Sequence, residues 1–105
     1  MNLQSLKREL NHYGNYDCSH VHTHLSPRGY KYLAGFVVNP RNDAIVYIST
    51  ESLQNPHVGR KCLVRYASSL RDFTGGTNHF HESVNLAPAI HQMLRDDIWY
   101  REETM

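Results

Sequence analysis

The chain has 105 residues, 40% of them hydrophobic and 20% charged, with a formal net charge of +1. A chain of this length has room for one hydrophobic core, so any site is expected at the surface rather than in a large internal cavity. The balanced charge excludes a strongly basic nucleic-acid coat and an acidic DNA mimic, because each would bias the whole surface.

No segment predicts export or membrane insertion. The segment MNLQSLKREL lacks the apolar region of a signal peptide, and no stretch approaches the roughly 20 apolar residues of a membrane span. Cys18 and Cys62 lie far apart and form no CxxC pair, so we expect both to remain thiols. The sequence therefore predicts one soluble cytoplasmic domain over residues 1–105, with residues 98–105 as a partly ordered tail.

The first element is predicted to be a short helix. Its apolar positions fall on one stripe at helical spacing, namely Leu3, Leu6, Leu10 and Tyr13. Gly14 follows directly and favours a C-terminal stop.

Residues 15–26 are predicted to form a strand, followed by a turn over residues 26–29. Strict alternation would place five side chains on one face: Tyr16, Cys18, His20, His22 and His24. The opposite face would then carry Val21, Thr23 and Leu25.

The clearest prediction is a β-hairpin. Residues 30–38, YKYLAGFVV, have strand composition, with Gly35 as a bulge or a close backbone approach. Residues 39–43 form the predicted turn and residues 44–49 the second strand. The next few residues, 50–55, are expected to form one helical turn.

The C-terminal half has weaker patterns. Residues 60–73 fit either a strand or a helical stripe, and we expect a strand to about Ala67 and then a turn. Residues 74–82 are predicted to be a loop, and a helix capped by Asn85 is predicted from about residue 86 to residue 97. The inward positions of that helix would be Leu86, Ile90, Met93 and Leu94. The predicted fold is therefore α+β, with an N-terminal helix, an antiparallel sheet of three to four strands, and a C-terminal helix packed on one face.

Alternating histidines are the most distinctive chemical feature. His20, His22 and His24 are followed much later by a second pair, His79 and His81. Residues two apart on a strand point the same way, so an HxH pair can offer two imidazoles to one transition metal. We predict no cofactor, because a solvent-facing, hydrogen-bonded histidine cluster is the simpler interpretation. If a metal is bound, its ligands are predicted to be His20, His22, His79 and His81.

Two short resemblances point to phosphoesterases. The segment HVHTHLSP resembles the opening motif of the PHP family of metal-dependent phosphoesterases, although the further His and Asp motifs of that family are absent. His24-Leu25-Ser26 and His81-Glu82-Ser83 resemble the two HxS/T motifs of the 2H phosphoesterases. That resemblance implies that His24 and His81 act as acid and base on a phosphate, with Ser26 and Ser83 beside them. The simpler interpretation places Ser26 in a turn and Ser83 near a helix start.

Other segments predict binding surfaces. The glycine-rich segment 72–78 offers backbone N–H groups to an anion, but it lacks a P-loop pattern and a tight turn is the simpler interpretation. A basic patch with an aromatic platform could hold single-stranded nucleic acid through Arg60, Lys61, Arg65 and Arg71, with Tyr66 among them. Alternatively, Lys61 and Arg65 form the solvent face of a strand.

Seven tyrosines are too many for so small a core, and Tyr and Arg are enriched at protein–protein hot spots. The predicted interaction residues are Tyr16, Tyr30, Tyr32, Arg60, Arg65 and Tyr66. We therefore expect a small protein-binding module, an inhibitor or adaptor, rather than an enzyme. Phage-encoded antagonists of bacterial defence systems, anti-CRISPR proteins included, are often single domains of this kind. The first alternative is a small His-dependent phosphoesterase, nuclease or metal enzyme, and the second is a nucleic-acid-binding protein. An exposed sheet edge would also allow a homodimer by strand pairing.

Overall fold

A computed structural model of the chain describes residues 2–51, 61–73 and 75–95. These residues form one antiparallel sheet of five strands and two helices. In chain order the elements are α1 (Leu3–Asn11), β1 (Asp17–Leu25), β2 (Lys31–Asn39), β3 (Ala44–Ser49), β4 (Lys61–Ala67), β5 (His79–Glu82), a 3₁₀ turn (Ser83–Asn85) and α2 (Leu86–Leu94). Among the described residues, no helix is long and apolar enough to cross a membrane.

The sheet is a meander in which each strand pairs with the next one along the chain, in the order β1-β2-β3-β4-β5. The predicted hairpin of β2 and β3 is confirmed, with Asn39 opposite Ala44 next to the turn. Asp43 adopts a φ of 60° in that turn, a conformation that Asp tolerates better than most residues. Strands β1 and β5 are consequently the two edges of the sheet.

Both helices cover the same face of the sheet, which we call the helix-covered face. Three of the four predicted stripe positions of α1 are confirmed, since Leu6 and Leu10 are fully buried and Leu3 packs against the core. Tyr13 follows the end of the helix and is 43% exposed, so its predicted place on the buried stripe is wrong. Asn2 begins the helix with a capping box, accepting a hydrogen bond from the Ser5 N–H. Apolar burial of these side chains, rather than propensity, stabilises so short a helix.

Helix α2 buries the predicted residues Leu86, Ile90 and Leu94, and Met93 packs beside the core. Asn85 is the N-cap residue of α2, as predicted, but its side chain makes no capping hydrogen bond. The helix ends at Leu94, whose carbonyl accepts a 2.6 Å hydrogen bond from the buried Asn39 amide. The prediction that the helix continues towards residue 97 is wrong at Arg95, whose ψ of 145° is not helical. Residues 96 and 97 lie outside the described residues.

A register shift in β1 changes which side chains reach the core. The pairing of β1 with β2 shifts between Asp17 and His20, so Cys18 and Val21 both join the buried cluster on the helix-covered face. The prediction that Tyr16 and Cys18 share a face with the histidines is therefore wrong. A bulge adds one residue to one strand, which inverts the alternation before it.

The α+β class is confirmed, but the sheet has five strands instead of three to four. The difference is β5, which lies in the segment predicted to be a loop and pairs with β4 from Lys61↔Glu82 to Val64↔His79. The predicted strand ending at Ala67 is confirmed as β4. The predicted helical turn over residues 50–55 and the tail over residues 98–105 lie largely or wholly outside the described residues.

Candidate functional site

The face of the sheet opposite the helices carries a groove of about 320 Å³, which we call the open-face groove. Strands β1, β2 and β3 supply its floor and one wall, and the segment after β4 supplies the other wall. Its lining residues are His20, His22, His24, Tyr32, Ala34, Gly35, Phe36, Tyr47, Leu70 and Phe73. The groove is of the size that small ligands and single side-chain anchors occupy.

One wall of the groove is the histidine stripe, His20, His22 and His24, along the edge strand β1. All three side chains are exposed. Across the strand pair, His20 lies opposite Phe36 and His24 opposite Tyr32, and the rings of His24 and Tyr32 stack at 5.3 Å. The prediction that these three histidines share one face is confirmed by the register.

The floor of the groove is aromatic. Phe36 and Tyr47 lie side by side on β2 and β3, with ring centroids 5.3 Å apart in an edge-on arrangement. Desolvation by burial raises the pKa of the Tyr47 phenol, and the Arg65 guanidinium acts more weakly in the opposite direction. Tyr47 therefore stays a neutral hydroxyl donor at neutral pH.

The second wall is the segment from Ser68 to Phe73, held in shape by one carboxylate. Asp72 accepts hydrogen bonds from the Ser68 N–H at 2.9 Å and from the Gly75 N–H at 2.8 Å. The ring of Phe73 lies edge-on against the ring of Phe36, with centroids 5.2 Å apart, while Phe73 remains 61% exposed. A large apolar ring is thus held over the groove without being buried.

Arg65 lies beneath this segment rather than in a solvent-facing basic patch. It is 2% exposed, its guanidinium lies 4.6 Å over the Tyr47 ring, and it donates to the Gly75 carbonyl at 2.8 Å. Asp72 is 3.8 Å away and supplies the counter-charge. The prediction that Arg65 is a solvent-facing cation is therefore wrong, and its buried charge instead anchors the second wall.

The other described residues of the predicted basic patch do not share the buried position of Arg65. Lys61 and Arg71 are both exposed, at the start of β4 and in the segment after it. Arg60 lies outside the described residues.

The predicted interaction tyrosines are spread over the molecule. Tyr32 lines the open-face groove, whereas Tyr16 packs against the helix-covered core and its hydroxyl hydrogen-bonds Nδ1 of His91. Tyr30 and Tyr66 are about half exposed, the first next to the β1–β2 turn and the second on β4. Of the five predicted interaction residues that the structure describes, only Tyr32 lines the groove.

Sequence reasoning missed the aromatic floor and the second wall. The places of Phe36 and Tyr47 could have been predicted from strand alternation. Phe36 shares a face of β2 with Tyr32, and Tyr47 lies directly opposite Phe36 on β3. Leu70 and Phe73 follow β4 and carry no such periodicity. Their place over the sheet depends on the Asp72 hydrogen bonds.

The two HxH pairs do not meet. His79 and His81 lie opposite Val64 and Cys62, so they are on the helix-covered face of β5, while the histidine stripe is on the open face of β1. Four strand spacings separate these edges, roughly 19 Å at about 4.8 Å each. One ion therefore cannot bind all four predicted ligands. Among the described residues, no three His, Cys, Asp or Glu side chains converge on a metal position.

The same separation applies to the phosphoesterase pair. His24 and His81 lie on opposite edges and opposite faces, so they cannot act on one phosphate. Ser26 accepts a 3.0 Å hydrogen bond from the Tyr30 N–H in the turn, and Ser83 begins the 3₁₀ turn. In the glycine-rich segment, the Gly75 N–H is donated to Asp72, which leaves it unavailable to an outside anion.

Both cysteines are buried and free. Cys62 is fully buried in the core, and desolvation raises the pKa of its thiol to about 11. Burial also raises the pKa of the Cys18 thiol. Neither thiol is a nucleophile at neutral pH, because the reactive form is the thiolate.

Comparison of the chain with protein-family models, with curated proteins and with solved structures found no match in any of the three.

Proposed function

We propose that this chain is a protein-binding domain, an inhibitor or adaptor, that holds an apolar side chain of its partner in the open-face groove. One observation carries this proposal. Phe73 is 61% exposed and Leu70 is 39% exposed, and both stand over an aromatic floor formed by Phe36 and Tyr47. An exposed apolar rim around a concave aromatic floor is typical of a surface completed by a partner.

The chemistry of the lining defines the partner segment. No Asp or Glu is among the residues that line the groove. The polar side-chain groups of the lining are the imidazoles of the histidine stripe and the hydroxyls of Tyr32 and Tyr47. Imidazole N–H and phenol O–H groups donate hydrogen bonds. The favoured occupant is therefore a segment with a large apolar anchor flanked by carboxylate or carbonyl acceptors.

The same lining argues against a nucleic-acid ligand. No Lys or Arg lines the groove among the described residues, and Arg65, which lies over Tyr47, is bound to Gly75 and Asp72. Binding of single strands relies on cations that follow the phosphate backbone as well as on stacking. The groove supplies the aromatic surfaces but not the accessible fixed charges. We therefore favour a protein partner, which an antagonist of a defence system would also have.

The proposal is tested by capture from a lysate of the source or host with two matched variants. Phe73→Asp puts a carboxylate on the groove rim, whereas Phe80→Asp makes the same change at a 41% exposed Phe on β5, away from the groove lining. We expect the wild type and Phe80→Asp to retain one stoichiometric partner. Phe73→Asp should weaken binding at least about tenfold, as for a hot-spot residue.

The proposal would be contradicted if the two variants lost the partner to the same extent, or if both retained it as the wild type does. It would also be contradicted if no partner bound the wild type. Thermal unfolding of each variant separates loss of binding from loss of fold. Loss of the captured species on nuclease treatment would instead assign the surface to nucleic acid.

A further inference from the structure

The histidine stripe places three imidazoles at alternate positions along one edge strand, an arrangement suited to binding a metal ion. His20, His22 and His24 are all exposed, all on one face and all on an edge strand. The central member, His22, lies opposite Ala34, whereas its neighbours lie opposite Phe36 and Tyr32. Ala34 is therefore the one residue of these three strand partners that carries no ring.

We propose that the histidine stripe binds one divalent transition-metal ion per chain, with His22 as the obligatory ligand and either His20 or His24 as the second. Imidazole is a good ligand for Zn²⁺, Ni²⁺ and Cu²⁺. The proposal rests on the geometry of β1. The same histidines form one wall of the open-face groove, but metal binding to them does not require that a protein partner binds there.

Strand geometry sets the number of ions. Alternate residues of a strand are separated by roughly 6.7 Å along its axis, and two imidazole nitrogens can converge on an ion at about 2.0–2.1 Å from each. His20 and His24 are roughly 13 Å apart, too far to share an ion. The two pairs that are close enough to share an ion, His20 with His22 and His22 with His24, both contain His22. An ion bound by either pair therefore prevents a second ion from binding to the other pair.

No stronger ligand set competes nearby. The Cys18 and Cys62 thiols are buried in the core and cannot reach a surface ion. Asp17, at the start of β1, accepts a hydrogen bond from the Ser19 N–H. No third ligand converges with the stripe among the described residues. Two protein ligands leave the remaining coordination positions to water.

Zn²⁺ titration of tag-free protein tests this assignment by calorimetry, with imidazole NMR shifts as the site-specific readout. We expect one ion per chain. His22→Ala should weaken binding at least about tenfold, because the two-point attachment is lost. His20→Ala or His24→Ala removes one of two alternative pairs, so each should weaken binding only about twofold.

His12→Ala is the matched control, because His12 is an exposed histidine outside the stripe, and it should leave the affinity unchanged. Absence of saturable binding would overturn the proposal. So would unchanged affinity in His22→Ala, or loss of binding in a variant that lacks His79 and His81. Because no partner protein is present in this titration, its failure would leave the proposed function untouched.

Discussion

The backbone of Gly35 lies directly against the carbonyl group of His20 on the neighbouring strand. A Cβ at position 35 would overlap the His20 carbonyl oxygen and come within 2.8 Å of the Val21 α carbon. Gly35 also adopts a φ of 148°, which L-residues with side chains rarely adopt. This contact seats the histidine stripe next to Phe36, so the close approach predicted for Gly35 helps to form the groove.

Gly35→Ala should destabilise the fold strongly. The added methyl group must displace backbone on β1 as well as strain φ, so we expect a loss of about 3 kcal/mol or more, or failure to fold. Gly29→Ala is the control, because Gly29 has a φ of 87° but no atom within 4 Å of the added Cβ. Its cost should be about 1 kcal/mol, from backbone strain alone. Urea denaturation measures both, and equal costs would show that the β1–β2 contact is unimportant.

Arg65 and Asp72 should be coupled energetically. Arg65→Met removes a buried cation, and Asp72→Asn leaves that cation without its counter-charge at 3.8 Å. Each change should cost about 2–3 kcal/mol, and a double-mutant cycle should give a coupling of about 1 kcal/mol or more. Arg71→Met, at an exposed position in the same segment, should stay within about 0.5 kcal/mol of wild type. Additive single effects would mean that the two residues act separately.

Stability should fall at alkaline pH, partly through Cys62. Its thiol pKa is raised from 9.0 to about 11 in the fold, so between those values the unfolded chain releases a proton that the folded chain retains. The free energy of unfolding must then decrease as pH rises through this window, by about 2–3 kcal/mol for this group. Below pH 9 the contribution is fully present. In Cys62→Ala the decrease between pH 9 and 11 should be smaller by that amount, whereas identical pH profiles would contradict the assignment.

The hydrogen bond between the Tyr16 hydroxyl and His91 Nδ1 links the segment before β1 to α2. Tyr16→Phe removes this bond and keeps the ring, so we expect a loss of about 1 kcal/mol in urea denaturation. Tyr13→Phe is a suitable comparison, because Tyr13 stacks on the same His91 ring at 5.0 Å and phenylalanine preserves that stacking. An equal loss in both variants would argue against a specific role of the Tyr16 hydroxyl.

Much of the fold could be predicted from periodicity. The α1 stripe, the β2–β3 hairpin and the buried side of α2 follow from spacings of about 3.6 and 2 residues, which burial against one core imposes. The register shift near Cys18 could not, because a bulge inserts one residue without changing composition. The strand β5 was missed because four residues, His79–Glu82, are too few to show alternation, and pairing with β4 decides their conformation.

The site was less predictable than the fold, for a physical reason. The histidine stripe follows from alternation within one strand, so its shared face could be read from sequence. Phe73 reaches the groove through hydrogen bonds that Asp72 accepts from Ser68 and Gly75, and these depend on the folded segment. Arg65 resembled a surface cation because composition does not reveal that this segment covers it.

Hydrogen exchange of the chain, measured alone and saturated with its captured protein partner, locates the surface that the partner covers. The groove account predicts that added protection is concentrated in β1 and in the segment from Ser68 to Phe73, the two walls of the groove. The backbone around β5 and α1, away from the groove, should change little. Protection confined to α1, α2 or β5, with no change in the groove walls, would show that the partner binds elsewhere on the molecule and not in the open-face groove.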